Sequence, residues 1–153
     1  MSVDHRALLE RFVRAINEHD HAAIEAVFTE DLVEEYPQSG EVVHGGRNFR
    51  AIIEHYPSGL PDNSIDAPTL KVQATDDIRV VAPLFAIVRV EGAGNEGTYT
   101  LRSAYPDGTT WWTIGFYQLR DGRIARSTVY FAPEFDAPEW RAPYVERTRP
   151  PKR

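Results

Sequence analysis

The chain has 153 residues, the size of one ordinary domain, with a formal net charge of −6 and no cysteine. The lack of cysteine excludes disulfides, thiolate nucleophiles and cysteine metal sites, and the acidic balance argues against nucleic acid as a partner, because phosphate binding needs a basic surface. No apolar run reaches the roughly 20 residues of a membrane helix, and no basic stretch precedes an apolar run at the N-terminus. We therefore expect a cytoplasmic protein without a signal peptide.

Helical spacing dominates the first third of the chain. Apolar residues over 8–16 predict a first helix with Asp4 as its N-cap. Asp20 is placed to cap a second helix, which carries Ala23, Ile24, Val27 and Phe28 and is closed by residues 29–31. These spacings predict two short helices joined by a tight turn.

Two short extended segments, residues 32–36 and 41–44, flank a turn at Gln38-Ser39-Gly40. A third helix is predicted after Gly45-Gly46, with its apolar residues at the i, i+3, i+4 and i+7 positions. Those residues are Phe49, Ile52, Ile53 and Tyr56.

The rest of the chain is predicted to be extended. Segments rich in β-branched and aromatic residues alternate with turn signals, of which Asp121-Gly122 is typical of a hairpin. The predicted strands are 70–74, 78–90, 97–105, 110–119 and 123–131. Helices followed by antiparallel strands make an α+β plan, and a sheet that curls over the helices leaves a space for a ligand.

The same region carries a family resemblance. A helix ending in Asn17-Glu18-His19-Asp20, the pattern Ile24, Val27-Phe28 and Asp31, and a short strand into Pro37 resemble the SnoaL-like and ketosteroid-isomerase-like branches of the nuclear transport factor 2-like superfamily. Residues 111–147 resemble the closing hairpin and C-terminal extension of bacterial SnoaL-like proteins. The resemblance covers nearly the whole chain.

This resemblance implies a cone-shaped (cystatin-like) α+β barrel, with three N-terminal helices packed on a curled, mostly antiparallel sheet. We expect one domain over residues 1–147, and the Arg/Pro-rich end of the chain predicts a disordered tail over 148–153. Within the domain, residues 132–147 are expected to pack on the body as an extension, with Phe135 and Trp140 as apolar anchors.

The catalytic residues of the relatives do not carry over as a set. Where ketosteroid isomerases have an oxyanion-binding tyrosine and two aspartates, this chain has Phe12, Tyr36 and Gly115. Arg89-Val90-Glu91 resembles the Arg-x-Asp unit of limonene-type epoxide hydrolases, but their second aspartate is replaced by Val129. The resemblance is therefore specific for the fold and does not select a reaction.

Alternation along the first strand places Glu34 and Tyr36 on one face and Glu35 on the other. In this fold the position before the proline opens into the pocket, so Tyr36 could donate a hydrogen bond to a substrate carbonyl, with Glu34 or Glu35 as acid or base. The alternative is a core tyrosine beside two solvated carboxylates. Arg89 and Glu91 also share a face, which is either a concave site with an oriented carboxylate or an exposed ion pair that contributes little.

The five histidines lack the spacing of a metal site, so we expect no metal and no organic cofactor. The pocket is expected to be apolar and rich in aromatic residues. Its predicted ligand-binding residues are Phe12, His55, Tyr56, Phe85, Trp111, Thr113, Ser127, Val129 and Phe131. The strand 110–119 is apolar on both faces, so a second subunit or the C-terminal extension should cover the outer face, and we expect a homodimer.

Three functions remain open from the sequence. The first is a cofactor-independent enzyme acting on a small apolar carbonyl or epoxide compound, as an isomerase, cyclase, dehydratase or hydrolase. The second is a non-catalytic carrier with the same pocket. The third is a protein-interaction module that uses the sheet surface. A buried carboxylate with a raised pKa in the pocket would favour the enzyme.

Overall fold

The computed structural model describes residues 2–55, 84–104 and 110–149. The strand expected over 70–74, the first part of the one expected over 78–90, and the residues Tyr56 and Tyr105 lie outside the described residues, as do residues 150–153 of the expected tail. The statements below concern the described part of the chain.

Three helices form the N-terminal layer. They are α1 (His5–Asn17), α2 (His21–Ala26) and α3 (Gly46–Glu54). Both predicted N-caps are confirmed: the Asp4 carboxylate accepts from the backbone N–H of Ala7 at 2.9 Å, and that of Asp20 accepts from Ala23 at 3.0 Å. These bonds satisfy backbone donors that the helices leave unpaired. No helix in the described ranges has both the length and the apolarity needed to cross a membrane.

Six strands of the described residues form one sheet. They are β1 (Phe28–Tyr36), β2 (Glu41–His44), β3 (Leu84–Ala93), β4 (Glu96–Ala104), β5 (Thr110–Arg120) and β6 (Arg123–Pro133), in the order β2-β1-β6-β5-β4-β3. Among these strands β1 and β6 pair in parallel and the other neighbours are antiparallel. The α+β class and the mostly antiparallel, curled sheet are confirmed, but the sheet is not a closed barrel, because among the described strands β2 and β3 are its two edges.

The second helix is shorter than predicted. Phe28 was expected on that helix, whereas α2 ends at Ala26 and β1 begins at Phe28. The reason is long-range pairing: Phe28 is the register partner of Ile124 on β6, and the Ile124 N–H donates to the carbonyl of Val27 at 2.9 Å. Pairing with β6 therefore outweighs the local helical spacing.

The core lies between the helices and the inner face of the sheet. The rings of Phe12, Phe28 and Phe49 meet there, with centroid separations of 5.6, 5.9 and 4.4 Å. They come from α1, β1 and α3, so this contact fixes the two longer helices against the first strand. Each buried side chain of this size contributes about 1.5–3 kcal/mol.

A 3₁₀-helix, Glu139–Tyr144, follows β6 near the C-terminus. The segment is tied to the sheet at its start, where the Glu134 N–H donates to the carbonyl of Thr110 at 3.1 Å. Phe135 and Trp140, however, are 71% and 72% exposed, so they are not the apolar anchors that the sequence suggested. The domain boundaries themselves stay a prediction.

Candidate functional site

A cavity of about 160 Å³ lies between α1, α3 and the inner face of the sheet. Its lining is mostly aliphatic and aromatic, and among the described lining residues Glu34 is the one with a charged side chain. The lining consists of Phe12, Ile16, Glu34, Tyr36, Phe49, Ile52, Ile53, Phe85, Tyr99, Leu101, Thr113, Val129 and Phe131. The arrangement is that of a small apolar pocket with a few polar groups.

Glu34 is held at both of its carboxyl oxygens. Its side chain is buried, with 3% of the residue exposed. The Tyr36 hydroxyl donates to Oε1 at 2.7 Å, and the Ser127 hydroxyl donates to Oε2. Tyr36 reaches Glu34 because residues two apart on a strand share a face, and Ser127 does so because it is the register partner of Glu34 across the parallel β1–β6 pair.

Burial is the main cause of the pKa shifts of Glu34 and Tyr36. Removal from water raises the pKa of Glu34, and the hydrogen bonds from Ser127 and Tyr36 oppose that rise without cancelling it. Burial, with the adjacent Glu34 carboxylate, raises the pKa of Tyr36 far above its usual value. Tyr36 therefore stays a hydrogen-bond donor, while Glu34 exchanges its proton at a higher pH than an exposed glutamate does.

A second tyrosine reaches the same cavity from β4. Tyr99 is 6% exposed, and burial followed by the charge of Glu34 raises its pKa well above the ordinary value for a phenol. Its ring packs beside that of Tyr117, with centroids 6.0 Å apart. The Tyr117 hydroxyl lies 2.8 Å from Nδ1 of the buried His5. This hydrogen bond joins α1 to β5.

The structure brings most of the predicted site residues together. Glu34 and Tyr36 lie on the shared inner face that alternation predicts, Ser127 bonds to Glu34, and five of the predicted ligand-binding residues line the cavity: Phe12, Phe85, Thr113, Val129 and Phe131. Their roles in binding or catalysis stay a prediction.

Other predicted site residues lie elsewhere. Glu35 is exposed on the opposite face of β1. His55 is exposed at the end of α3, where its Nδ1 lies 2.8 Å from the carbonyl of Ala51. Trp111 is half-buried and is not among the residues that line the cavity. Tyr56 lies outside the described residues.

Arg89 and Glu91 form an exposed ion pair. Their side chains are 69% and 57% exposed, and Arg89 Nε donates to Glu91 Oε1 at 2.9 Å. A shift in the β3–β4 register between Ile87 and Arg89 interrupts the alternation, so that Phe85, Ile87 and Val90 pack against the core instead. Of the two arrangements that the sequence left open, Arg89 and Glu91 adopt the exposed ion pair. Glu91 therefore does not reach the cavity.

Several lining residues were not predicted as ligand contacts. Ile16, Phe49, Ile52 and Ile53 were assigned only to apolar helix faces, and the helical spacing alone does not show which part of such a face meets a cavity. Tyr99 lies two residues after Gly97 in a predicted strand, so alternation could have placed it on the inner face with Leu101. In the described ranges, no group of three or more acidic or histidine side chains is arranged to hold a metal ion.

The helices on one face of a curled six-stranded sheet, with a pocket between them, define the cystatin-like or NTF-2-like fold. An NTF-2-like protein of unknown function from Burkholderia xenovorans is 26% identical, with a TM-score of 0.70 and coverage of 94% of both chains. A putative ketosteroid isomerase from Kribbella flavida is 18% identical, with a TM-score of 0.71 over 95% of this chain and 90% of that one. An epoxide hydrolase of the LEH-like type from M. tuberculosis is 20% identical, with a TM-score of 0.56 and coverage of 82% and 80%.

The family follows from the sequence match. Residues 9–127 match the SnoaL-like domain, so the chain belongs to the SnoaL-like domain family, and the resemblance expected from the sequence is confirmed. Among curated proteins, none matches this sequence. The similar structures below 25% identity support the fold and leave the reaction open.

Proposed function

We propose that this protein is an enzyme that moves a proton at the carbon next to a carbonyl group of a small apolar compound, with Glu34 as the proton-transferring group. One observation carries the proposal: a buried carboxyl, held by two hydroxyl donors, lines a mostly apolar cavity whose other described lining residues are uncharged. Perturbed carboxyl groups of this kind cluster at catalytic sites.

The chemistry needs one carboxyl. An ionised Glu34 takes the proton from the carbon, and the electron pair moves onto the carbonyl oxygen to give an enolate. The protonated Glu34 then returns the proton to the same carbon, or to a more distant carbon of an unsaturated ketone, which isomerises it. A raised pKa makes Glu34 a stronger base than an exposed glutamate, so burial supports this role.

Tyr36 and Ser127 act as positioning residues in this proposal. Their hydroxyl protons point at the two oxygens of Glu34 and so fix the direction in which its lone pairs face the cavity. Direct donation from Tyr36 to a substrate, which the sequence suggested, would require this hydrogen bond to break.

The cavity suits small molecules. Its volume of about 160 Å³ is close to that of an engineered apolar cavity of about 150 Å³ that binds benzene. We therefore choose cyclohexanone and cyclohex-2-enone as carbonyl probes, and cyclohexene oxide as the epoxide probe. Similar structures include both a putative ketosteroid isomerase and an epoxide hydrolase, so both chemistries are worth assaying.

The test is exchange of ketone protons for deuterium in D₂O, followed by NMR. Glu34→Gln should lower the rate by roughly 100- to 10,000-fold, the usual range for loss of a general acid–base group. Glu35→Gln is the matched control, since it removes the same charge from the exposed face of the same strand. The proposal fails if Glu34→Gln exchanges as fast as the wild type, or if the wild type exchanges neither ketone. Binding without exchange would indicate a carrier, and opening of cyclohexene oxide to a diol would indicate a hydrolase.

We also propose that the protein forms a homodimer through the outer face of the sheet. Phe116 is 53% exposed there, and its ring meets that of the exposed Tyr130 at a centroid distance of 6.4 Å. Adjacent exposed aromatic rings are typical of a surface that another chain covers. The cytoplasmic location expected from the sequence stays a prediction.

A further inference from the structure

The Tyr99 hydroxyl differs from the other inner-face tyrosines in its bonding. The Tyr36 hydroxyl donates to Glu34, and the Tyr117 hydroxyl bonds to His5. Tyr99 is largely buried and lines the cavity, yet no hydrogen bond joins its hydroxyl to another described residue. Hydroxyl groups that are removed from bulk water normally have a hydrogen-bond partner. A hydroxyl at a cavity wall that has no partner among the described residues is therefore available to a ligand.

A glycine determines where this hydroxyl lies. Gly115 on β5 is the register partner of Tyr99, and a Cβ at Gly115 would lie 2.2 Å from Tyr99 Cζ and 2.5 Å from its hydroxyl oxygen. The tip of the phenol ring therefore lies directly over Gly115 on β5. Any larger residue at position 115 would displace the ring.

That position places the Tyr99 ring at the cavity that Glu34 also lines. On β6 the register partner of Gly115 is Val129, which also lines the cavity. Ser127, two residues earlier on the same face of β6, holds the Glu34 carboxyl. The phenol of Tyr99 thus extends from β4 across β5 toward the strand pair that carries the acid. Both groups line the same cavity, and the charge of Glu34 adds to the rise in the Tyr99 pKa that burial causes.

We propose that the Tyr99 hydroxyl is the hydrogen-bond donor for the carbonyl oxygen of the substrate, which lies over Gly115. Glu34 accepts the proton from the neighbouring carbon and returns it. This inference rests on the proposed function and names its substrate class as small ketones. As the proton passes from carbon to Glu34, the electron pair moves to the oxygen, and the Tyr99 O–H bond stays intact while it donates to the enolate. No oxidant, reductant or further reactant is needed. The Tyr36 hydroxyl cannot take this role without breaking its hydrogen bond to Glu34.

Tyr99→Phe tests the inference, because it removes one oxygen and keeps the ring over Gly115. Loss of one such donor should lower the exchange rate of cyclohex-2-enone roughly 100- to 1,000-fold, mainly in kcat. Tyr117→Phe is the matched control: it removes a buried phenol oxygen from the neighbouring strand, bonded to His5 and away from the cavity lining. That control should leave the rate unchanged.

A second readout does not depend on turnover. Infrared spectra of bound cyclohex-2-enone labelled with ¹³C at the carbonyl should show a lower stretching frequency in the wild type and in Tyr117→Phe than in Tyr99→Phe. Since no hydrogen bond joins the hydroxyl to another described residue, Tyr99→Phe should not lower the urea midpoint of unfolding, whereas loss of a structural hydrogen bond would.

The outcomes separate the two proposals. If Glu34→Gln abolishes exchange but Tyr99→Phe changes neither the rate nor the carbonyl frequency, the role of Tyr99 is overturned and the proposed function stands. If Glu34→Gln leaves exchange unchanged, the proposed function fails, and the carbonyl frequency alone still decides whether Tyr99 binds the ketone oxygen. A wild type that binds no ketone probe overturns the inference.

Discussion

Replacing Glu34 with glutamine should change how the stability of the protein depends on pH. Burial raises the pKa of Glu34 in the folded protein above its ordinary value of 4.5, so the folded state binds this proton more tightly than the unfolded chain does. Below pH 4.5 both states are protonated, and this group contributes no pH dependence. As the pH rises from 4.5 to the raised pKa, the folded state alone keeps the proton, and stability falls.

The size of the effect follows from proton linkage. In that window the wild type should lose about 1.4 kcal/mol of unfolding free energy per pH unit through Glu34, and above the raised pKa the loss levels off. Glutamine has nearly the same shape, and its amide can accept from Tyr36 and donate to Ser127. The variant should therefore match the wild type at low pH within about 1 kcal/mol, one hydrogen bond, and exceed it at higher pH.

Urea unfolding of both proteins at a series of pH values measures this difference. The pH at which the difference stops growing gives the folded-state pKa of Glu34. Glu35→Gln, treated in the same way, corrects for the loss of one negative charge from this strand. A difference between wild type and Glu34→Gln that is constant with pH would refute the reasoning. So would a difference that grows in favour of the wild type, because the hydroxyl donors would then outweigh burial.

Three further predictions concern neighbouring features. Tyr36→Phe should lower the exchange rate by roughly a hundredfold and move the acidic limb of its pH profile to higher pH, since the lost hydrogen bond favours ionised Glu34; an unmoved profile would show that Tyr36 does not act on Glu34. Gly115→Ala should destabilise the protein by about 1–3 kcal/mol in urea unfolding, because its Cβ overlaps Tyr99, and a neutral result would contradict the packing. Light scattering should give a dimer for the wild type and a monomer for Phe116→Glu, and a monomeric wild type would contradict the homodimer.

Local pattern was enough to predict a large part of the fold. Helical spacing and the caps Asp4 and Asp20 located the first helices, and the Asp121-Gly122 turn located the β5–β6 hairpin, where both residues have positive φ. Where the local pattern and long-range pairing disagreed, at Phe28, the pairing with β6 won. Local sequence patterns cannot include the stabilisation from this pairing, because it depends on a strand about 95 residues further along the chain.

The sequence by itself determined that Glu34 and Tyr36 share a face, because side chains on a strand alternate with a period of two. It also placed Glu35 on the opposite face of the strand. Only one of the two candidate carboxyls, Glu34 or Glu35, can therefore lie in an enclosed site on one face of the sheet. Which face is enclosed depends on the packing of α1 and α3, and strand alternation carries no information about that packing.

Only the tertiary structure decided what surrounds Glu34. The parallel pairing of β1 with β6 brings Ser127 to its carboxyl, and the crossing of β5 at Gly115 lets Tyr99 approach from β4. The same tertiary packing leaves Arg89 and Glu91 in water, since the register shift in β3 turns them away from the core. Burial raises the pKa of Glu34, and burial is a property of the assembled layers that no single strand has alone.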